Sequence, residues 1–423
     1  MHHFTYSNGV LSAEGVSVAR IAADVGTPFY CYSAATLVRH LRVFTDAMSG
    51  LDATVCFAVK ANTNLAVIRT LVGNGAGCDV VSGGELQLAL RAECPPEKIV
   101  FSGVGKTEDE LRLALMHNVG QLNVESEAEL LTLSRIATEM GKTARVALRV
   151  NPDVDAGSLD KISTGRKEDK FGIEWTLAPA LYRKAKTLPG IDPTSVAVHI
   201  GSQITSLAPF EAAFTRVRDL IVMLRADGID IRHLDLGGGL GIPYDHRSNV
   251  MPPSPEEYGA MVKRTVGDLG CKLTFEPGRL LVGNAGIMVS RVVAIKEGTT
   301  RKFVIVDAGM NDLVRPAMYG ARHEIIPVTE APPSSAYEPA DVVGPVCETT
   351  DCFAKGYQLP LLKAGDLVAF LSAGAYGAAM SSMYNARPLV PEVMVSGDQY
   401  AVVRRRPTFA EMTALEQMPP WLP

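Results

Sequence analysis

TVCFAVKAN, residues 54–62, reads as an apolar strand that ends in a lysine. β-Branched and aromatic residues favour an extended chain. A lysine closing such a run either snorkels outward along its own stem or does chemistry, because a buried ammonium is costly without a partner. Seven further runs follow the same grammar: GCDVV (77–81), IVFSG (99–103), QLNVE (121–125), VALRVN (146–151), VAVHIG (196–201), HLDLGGG (233–239) and LTFEPG (273–278). Between them apolar residues recur at helical spacing, as in Leu65, Ile68, Leu71 and Val72, in Leu86, Leu88 and Leu90, or in Leu130, Leu131, Leu133 and Ile136. Three of these segments open with a hydroxyl followed three residues later by an acid, Ser82 with Glu85, Thr107 with Glu110 and Ser126 with Glu129, which predicts capping boxes.

Eight strands alternating with helices between residues 54 and 280, with no long linker in the middle, fit an α/β fold of the closed (β/α)8 TIM-barrel type better than an open doubly wound sheet. The longest connection, between the fifth and sixth strands, carries the polar stretch 158–170 and reads as an extra loop. Beyond residue 281 the pattern changes. RVVAIK (291–296), KFVIVD (302–307), DVVG (341–344), LVAFL (367–371) and YAVVRR (400–405) are strand-like and punctuated by Gly and Pro, with no comparable helices between them. The expected organisation is a barrel over 36–280 and a C-terminal mainly β domain over 281–423. An N-terminal segment, 1–35, strand-like around FYCY (29–32), joins that domain.

With 47% hydrophobic residues in 423, the chain has material for a large core, and a net charge of −5 leaves no basic footprint for nucleic acid. No run of 18 apolar residues appears and the start resembles neither a signal nor a transit peptide, so a cytoplasmic protein without a membrane partner is expected. The seven cysteines (31, 56, 78, 94, 271, 347, 352) are odd in number, scattered and without a C-x-x-C, which argues against a disulfide framework and against a metal site.

In such a barrel the chemistry sits where the strands end. The eight runs end on Lys60, Asp79 with Ser82, Ser102, Asn123 with Glu125, Arg149 with Asn151, His199 with Ser202, the glycines 237–239, and Glu276 with Arg279. LGGGLGI (236–242) is not a dinucleotide fingerprint, because the position of the third fingerprint glycine is Ile242. Consecutive glycines after a strand do let backbone N–H groups approach an anion, although a tight turn alone would also explain them. A lysine amine, an anion cradle and a carboxylate around one mouth point to pyridoxal 5'-phosphate, whose aldehyde needs an amine and whose ring nitrogen needs an acid.

The motifs AVKAN (58–62), DVVSGGE (79–85), KISTG (161–165), KFGI (170–173), HIGSQ (199–203), GGGLGI (237–242), EPGR (276–279), GPVCE (344–348) and AGAYG (373–377) occur in this order. Together they closely resemble the diaminopimelate decarboxylases, of the alanine-racemase-like fold type, over nearly the whole chain. The resemblance implies decarboxylation of meso-2,6-diaminopimelate to L-lysine in an obligate homodimer with active sites at the interface. It implies that Lys60 is the Schiff-base lysine, that Glu276 partners the pyridine nitrogen and that His199 stacks on the ring. Ser202, Gly238, Gly239, Gly278 and Arg279 are the further cofactor contacts, with Tyr376 nearby. Cys347 matches the proton donor supplied by the other subunit, and Arg279, Arg315, Tyr319, Glu348 and Tyr376 match the substrate-binding set.

Basic-amino-acid decarboxylases of the same fold share much of this. Their substrates end in an amine, which needs an acid, whereas diaminopimelate ends in a second amino acid centre whose carboxylate needs a cation; Arg315 can answer that carboxylate while Glu348 answers the amine. Asp351 keeps the alternative open, since an acid there could meet a terminal ammonium. An isomerase of this fold would need two bases and not the GPVCE cysteine, and a non-catalytic binding relative would be expected to lack Lys60 or Cys347.

Overall fold

The computed structural model describes residues 2–155, 164–165, 170–244 and 251–422. Most of the loop 158–170, with part of the KISTG motif, lies outside the described residues.

The eight apolar runs are eight parallel strands: β1 (Ala53–Ala58), β2 (Gly77–Val80), β3 (Ile99–Phe101), β4 (Gln121–Val124), β5 (Ala144–Asn151), β6 (Ile191–Ala197), β7 (His233–Asp235) and β8 (Lys272–Phe275). Each pairs with the next, and β8 returns to β1 with Leu273 opposite Ala53 and Phe275 opposite Val55, which closes the barrel. Strands covered on both faces lose the polar alternation of a half-exposed sheet, and every residue of β2, β3 and β4 is buried. Seven strands are followed by a helix of eight or more residues, while β8 is followed only by the single turn Arg279–Val282. The remaining flank is filled from the other end of the sequence. Helix Ala34–Ala47 precedes β1, and its Phe44 sets its ring edge-on against Phe275 of β8 at 5.7 Å and beside Tyr258 at 6.1 Å.

The three capping predictions divide. Thr107 and Glu110 form a reciprocal box. Ser82 and Ser126 each accept from the N–H three residues on, but their acids reach one residue further back, Glu85 to the N–H of Val81 and Glu129 to that of Glu125. The reason is visible at Glu129, whose other oxygen is held by the buried ammonium of Lys106 at 2.8 Å. Ser254 with Glu257 adds a full box that opens the helix Pro255–Val266.

Residues 37–283 form one compact unit, and 1–36 with 284–423 form another. The second is built on a mixed sheet. Its strands run, side by side, Cys352–Pro360, Tyr337–Val343, Lys302–Val306, Gly286–Glu297, Phe29–Ser33, Glu392–Ser396 and Gln399–Arg404. The N-terminal strand Phe29–Ser33 is therefore internal, antiparallel to Gly286–Glu297 and parallel to Glu392–Ser396. Phe29 and Cys31 share a core with Ile287, Val289, Val393, Val395, Leu11 and Ile21. The edge strand CFAKGYQLP (352–360) gave no strand signal, since its Lys-Gly interruption and terminal proline suit only an edge.

Candidate active site

Lys60 does not lie on β1 itself but on the turn Val59–Ala61 that follows it. Its Nζ is 2.9 Å from Oδ2 of the fully buried Asp79 at the end of β2. The two meet because Ala58 and Asp79 are register partners on adjacent strands. The second oxygen of Asp79 is buried without a hydrogen-bond partner among the described residues.

Lys60, Ser102, Asn123, Arg149, His199, Asp235 and Glu276 line one small polar cavity at the ends of seven strands. Glu276 is buried, and its Oε1 accepts from Ser102 Oγ at 3.3 Å. Ser102 Oγ accepts from Asn123 Nδ2 at 3.0 Å, and the same amide donates to Asp235 Oδ2 at 3.0 Å. Asp235 also accepts from Gln121 Nε2 at 3.1 Å and from the N–H of Gly237 at 2.9 Å. Burial, followed by repulsion from Asp235 and Asp79, pushes the Glu276 carboxyl well above its ordinary range. Burial likewise raises Asp235 to about 6. Among the described residues no cation forms an ion pair with Glu276, although the charge of Lys60 acts on it, and a protonated ring nitrogen would supply such a partner.

His199 Nδ1 accepts from the N–H of Gly238 at 3.2 Å, which puts the proton of the neutral ring on Nε2. Desolvation, with the cations of Arg149 and Lys60 close by, holds the imidazole well below its usual pKa. A neutral ring is what stacking on a flat cofactor requires. Arg149 is paired with the buried Glu125 at 3.0 Å. Arg279, also buried, donates from Nη2 to Ser202 Oγ at 3.0 Å and from Nη1 to the hydroxyl of Tyr244.

The glycine run has a second reason to exist. A Cβ on Gly238 would stand 2.2 Å from the carbonyl oxygen of Glu276, and one on Gly239 would stand 2.5 Å from that of Gly201. Gly237 and Gly239 also have φ of +63° and +117°. These glycines let the loop after β7 press against the ends of β6 and β8, so the protein's own backbone fills the space that their missing side chains leave.

The structure thus brings Lys60, His199, Ser202, Gly238, Gly239, Glu276, Gly278 and Arg279 together in residues 37–283. The other anticipated residues, Arg315, Tyr319, Cys347, Glu348 and Tyr376, belong to the second unit. There Arg315 is buried with Nη1 2.7 Å from His323 Nε2, and the other ring nitrogen of His323 faces the carbonyl of Leu371 at 2.8 Å. Tyr319 and Tyr376 are half-buried, and Cys347 and Glu348 are exposed. The N–H of Cys347 donates to Asn385 Oδ1 at 3.2 Å, and Glu348 accepts from the Tyr384 hydroxyl at 2.7 Å. Asp351 does not face solvent. It is buried, and its carboxylate accepts from the N–H groups of Met310 and Val346.

Sequence reasoning gave no role to Asp235, Gln121, Lys106 or Tyr244. Asp235 could have been found as the acid inside an apolar run; Tyr244 and Lys106 sit in loops and carried no signal. Among the described residues no group of His, Cys, Asp and Glu could hold a metal ion, and no helix is long and apolar enough to cross a membrane.

Residues 34–283 match the family model for the pyridoxal-dependent decarboxylase pyridoxal binding domain. The chain is 49% identical to a diaminopimelate decarboxylase of Zymomonas mobilis over 99% of each chain. It is 47% identical to that of Vibrio cholerae over 99% of this chain and all of the other. The crystal structure of the Helicobacter pylori diaminopimelate decarboxylase complexed with L-lysine superposes with a TM-score of 0.90 at 39% identity, covering 94% of this chain and 98% of that one.

Proposed function

The chain belongs to the diaminopimelate decarboxylase family of the pyridoxal-dependent decarboxylases, and on that premise we propose that it converts meso-2,6-diaminopimelate to L-lysine and CO2, the last step of lysine synthesis. The observation that carries this reading is the meeting of Lys60, Glu276 and His199 in one barrel-end cavity of a chain that matches its relatives from end to end.

The residues present suit pyridoxal 5'-phosphate. Lys60 offers an amine to its aldehyde, Glu276 a buried carboxyl to its ring nitrogen, His199 a neutral ring face, and Ser202, Gly239, Gly278 and Arg279 a set of donors for the phosphate, with Gly238, whose N–H holds His199, and Tyr376 as further contacts. When bound, the cofactor supplies the sink for the electron pair left on Cα as CO2 departs. Asp79 orients Lys60 through their 2.9 Å contact. Arg315, whose position is fixed by His323, presents its guanidinium to the distal carboxylate of the substrate, and Glu348 answers the distal amine. Arg279, Tyr319 and Tyr376 complete the substrate contacts. The new C–H bond takes its proton from Sγ of Cys347 and its electron pair from the broken C–C bond.

Cys347 is exposed on its own chain, as a donor serving a second subunit must be before assembly, so we read the working unit as a homodimer. The alternative, decarboxylation of ornithine, arginine or lysine, relied on Asp351 meeting a terminal ammonium. That carboxylate is engaged by two backbone N–H groups of its own chain. The test is CO2 release by the cofactor-loaded protein from meso-diaminopimelate, lysine, ornithine and arginine, each supplied alone. Turnover of diaminopimelate alone is expected; turnover of any of the other three would overturn the substrate assignment.

A further inference from the structure

We propose that Asp351 is a positioning residue for the proton-transfer step: it staples the loop that carries Cys347 to the loop that leads into Arg315. The inference rests on the reading of Cys347 as proton donor and adds a residue that acts through it.

Two adjacent parallel strands, Lys302–Val306 and Tyr337–Val343, release the two loops at the same end, with Ile305 opposite Val343. The first loop continues into the short helix Arg315–Tyr319, and the second runs from Gly344 to Asp351 and contains Cys347. Asp351 Oδ1 accepts from the N–H of Met310 in the first loop at 2.7 Å, and Oδ2 accepts from the N–H of Val346 in the second at 2.6 Å. Its backbone closes the second loop on itself, with the Gly344 N–H donating to the Asp351 carbonyl and the Asp351 N–H donating to that of Glu348, both at 3.1 Å. One buried residue thus fixes the chain one position before Cys347 and ties it to the loop ahead of Arg315.

The surrounding residues are shaped to this arrangement. A Cβ on Gly344 would lie 2.4 Å from Asp351 Oδ2, and one on Gly309 would lie 2.9 Å from Val346, so both loops are glycine where they pass the carboxylate. From a third loop, Asn385 takes the Cys347 N–H at 3.2 Å while its own backbone is left-handed at φ 58°. Asparagine tolerates that conformation better than most residues. The Ser382 N–H donates to the carbonyl of Asn311 at 2.9 Å, so the third loop is joined to the first as well. The backbone at Val346 and Cys347 is therefore held by Asp351 and Asn385, of which Asp351 carries the charge; the cation facing Asp351 is Arg387.

The test is turnover in deuterium oxide, scoring which face of the carbon that lost CO2 receives deuterium. The parent is expected to label one face. Asp351→Asn keeps the size but loses one acceptor oxygen, and Gly344→Ala pushes a methyl onto the intact carboxylate. Both are expected to lower kcat about tenfold or more with a much smaller change in KM, the range of a mispositioned acid–base group, and to label both faces. Retained single-face labelling with a parental kcat in either folded variant overturns the proposal. Cys347→Ala serves as the control: if it also labels one face at the parental rate, the reading of Cys347 as donor has failed. If it scrambles and the Asp351 and Gly344 variants do not, only the role of Asp351 has failed.

Discussion

Lys106 offers the sharpest test of how the barrel end is held. Its side chain is 1% exposed, and Nζ donates to Glu129 Oε1 at 2.8 Å, to the carbonyl of Gly103 at 2.7 Å and to that of Asn123 at 2.6 Å. The ammonium ties the loop after β3 to the end of β4, where Asn123 bonds both Ser102 and Asp235. Lys106→Met keeps the stem's bulk and removes the charge, leaving a carboxylate that is 8% exposed without its cation and two carbonyls without their donor. Breaking a buried pair from one side costs about 3–5 kcal/mol. Adding Glu129→Gln removes the stranded charge, and the double variant is expected to be more stable than Lys106→Met alone.

The penalty depends on pH with a definite sign. Burial already raises the Glu129 carboxyl and Lys106 works against that rise. Without Lys106 it rises further, so the folded state binds a proton more readily than the unfolded chain, whose glutamates titrate near about 4.3. The loss is thus full at neutral pH and shrinks as the pH falls toward that range. Urea unfolding can isolate the barrel, because the only tryptophans are Trp175 and the 80% exposed Trp421. In a Trp421→Phe background the fluorescence reports residues 37–283 alone. A Lys106→Met variant within about 1 kcal/mol of its parent at pH 7, or a penalty that grows on acidification, would refute the reasoning, since the first is the worth of an exposed pair.

Lys60→Ala is expected to lose the yellow colour of the bound cofactor and all measurable turnover, read by absorbance and CO2 release. Cys347→Ala should stay yellow and lose most of its rate. Mixing these two inactive variants is expected to restore about a quarter of the parental activity if the site is shared across a two-fold axis, because half of the dimers are then mixed and each mixed dimer has one intact site; no recovery would mean that Lys60 and Cys347 serve the same chain. Thr107→Ala, which removes one half of a reciprocal capping box, should cost about 1 kcal/mol in the same urea assay.

The barrel was legible because burial on both faces erases polar alternation, so each of its strands stands out as a short apolar run with a polar end. What lay outside that rule was harder to read. Helix Ala34–Ala47 fills the flank beside β8 although the sequence puts it before β1, and it is the contact of Phe44 with Phe275 that shows the assignment. Edge strand Cys352–Pro360 is paired on one side and needs no apolar run. The capping hydroxyls of Ser82 and Ser126 did what their spacing implied, whereas Glu85 and Glu129 reached the N–H one residue further back, and Glu129 took the Lys106 ammonium as well.

The polar residues divide for the same reason. Lys60, His199 and Glu276 could be read from their place at strand ends, where the barrel fixes their direction whatever lies around them. The acid of Asp235 was visible in its apolar run, but its role and that of Asp351 were not, because the function of a buried carboxylate is set by its donors, and these come from Gln121 and Asn123 for the first and from Met310 and Val346 for the second. In sequence Asp351 is an acid four residues after the cysteine, suited to meeting a substrate's ammonium. Two N–H groups turned toward it make it part of the frame instead. The role a buried acid takes therefore depends on where loop backbone donates its hydrogen bonds, which residue type and spacing alone do not reveal.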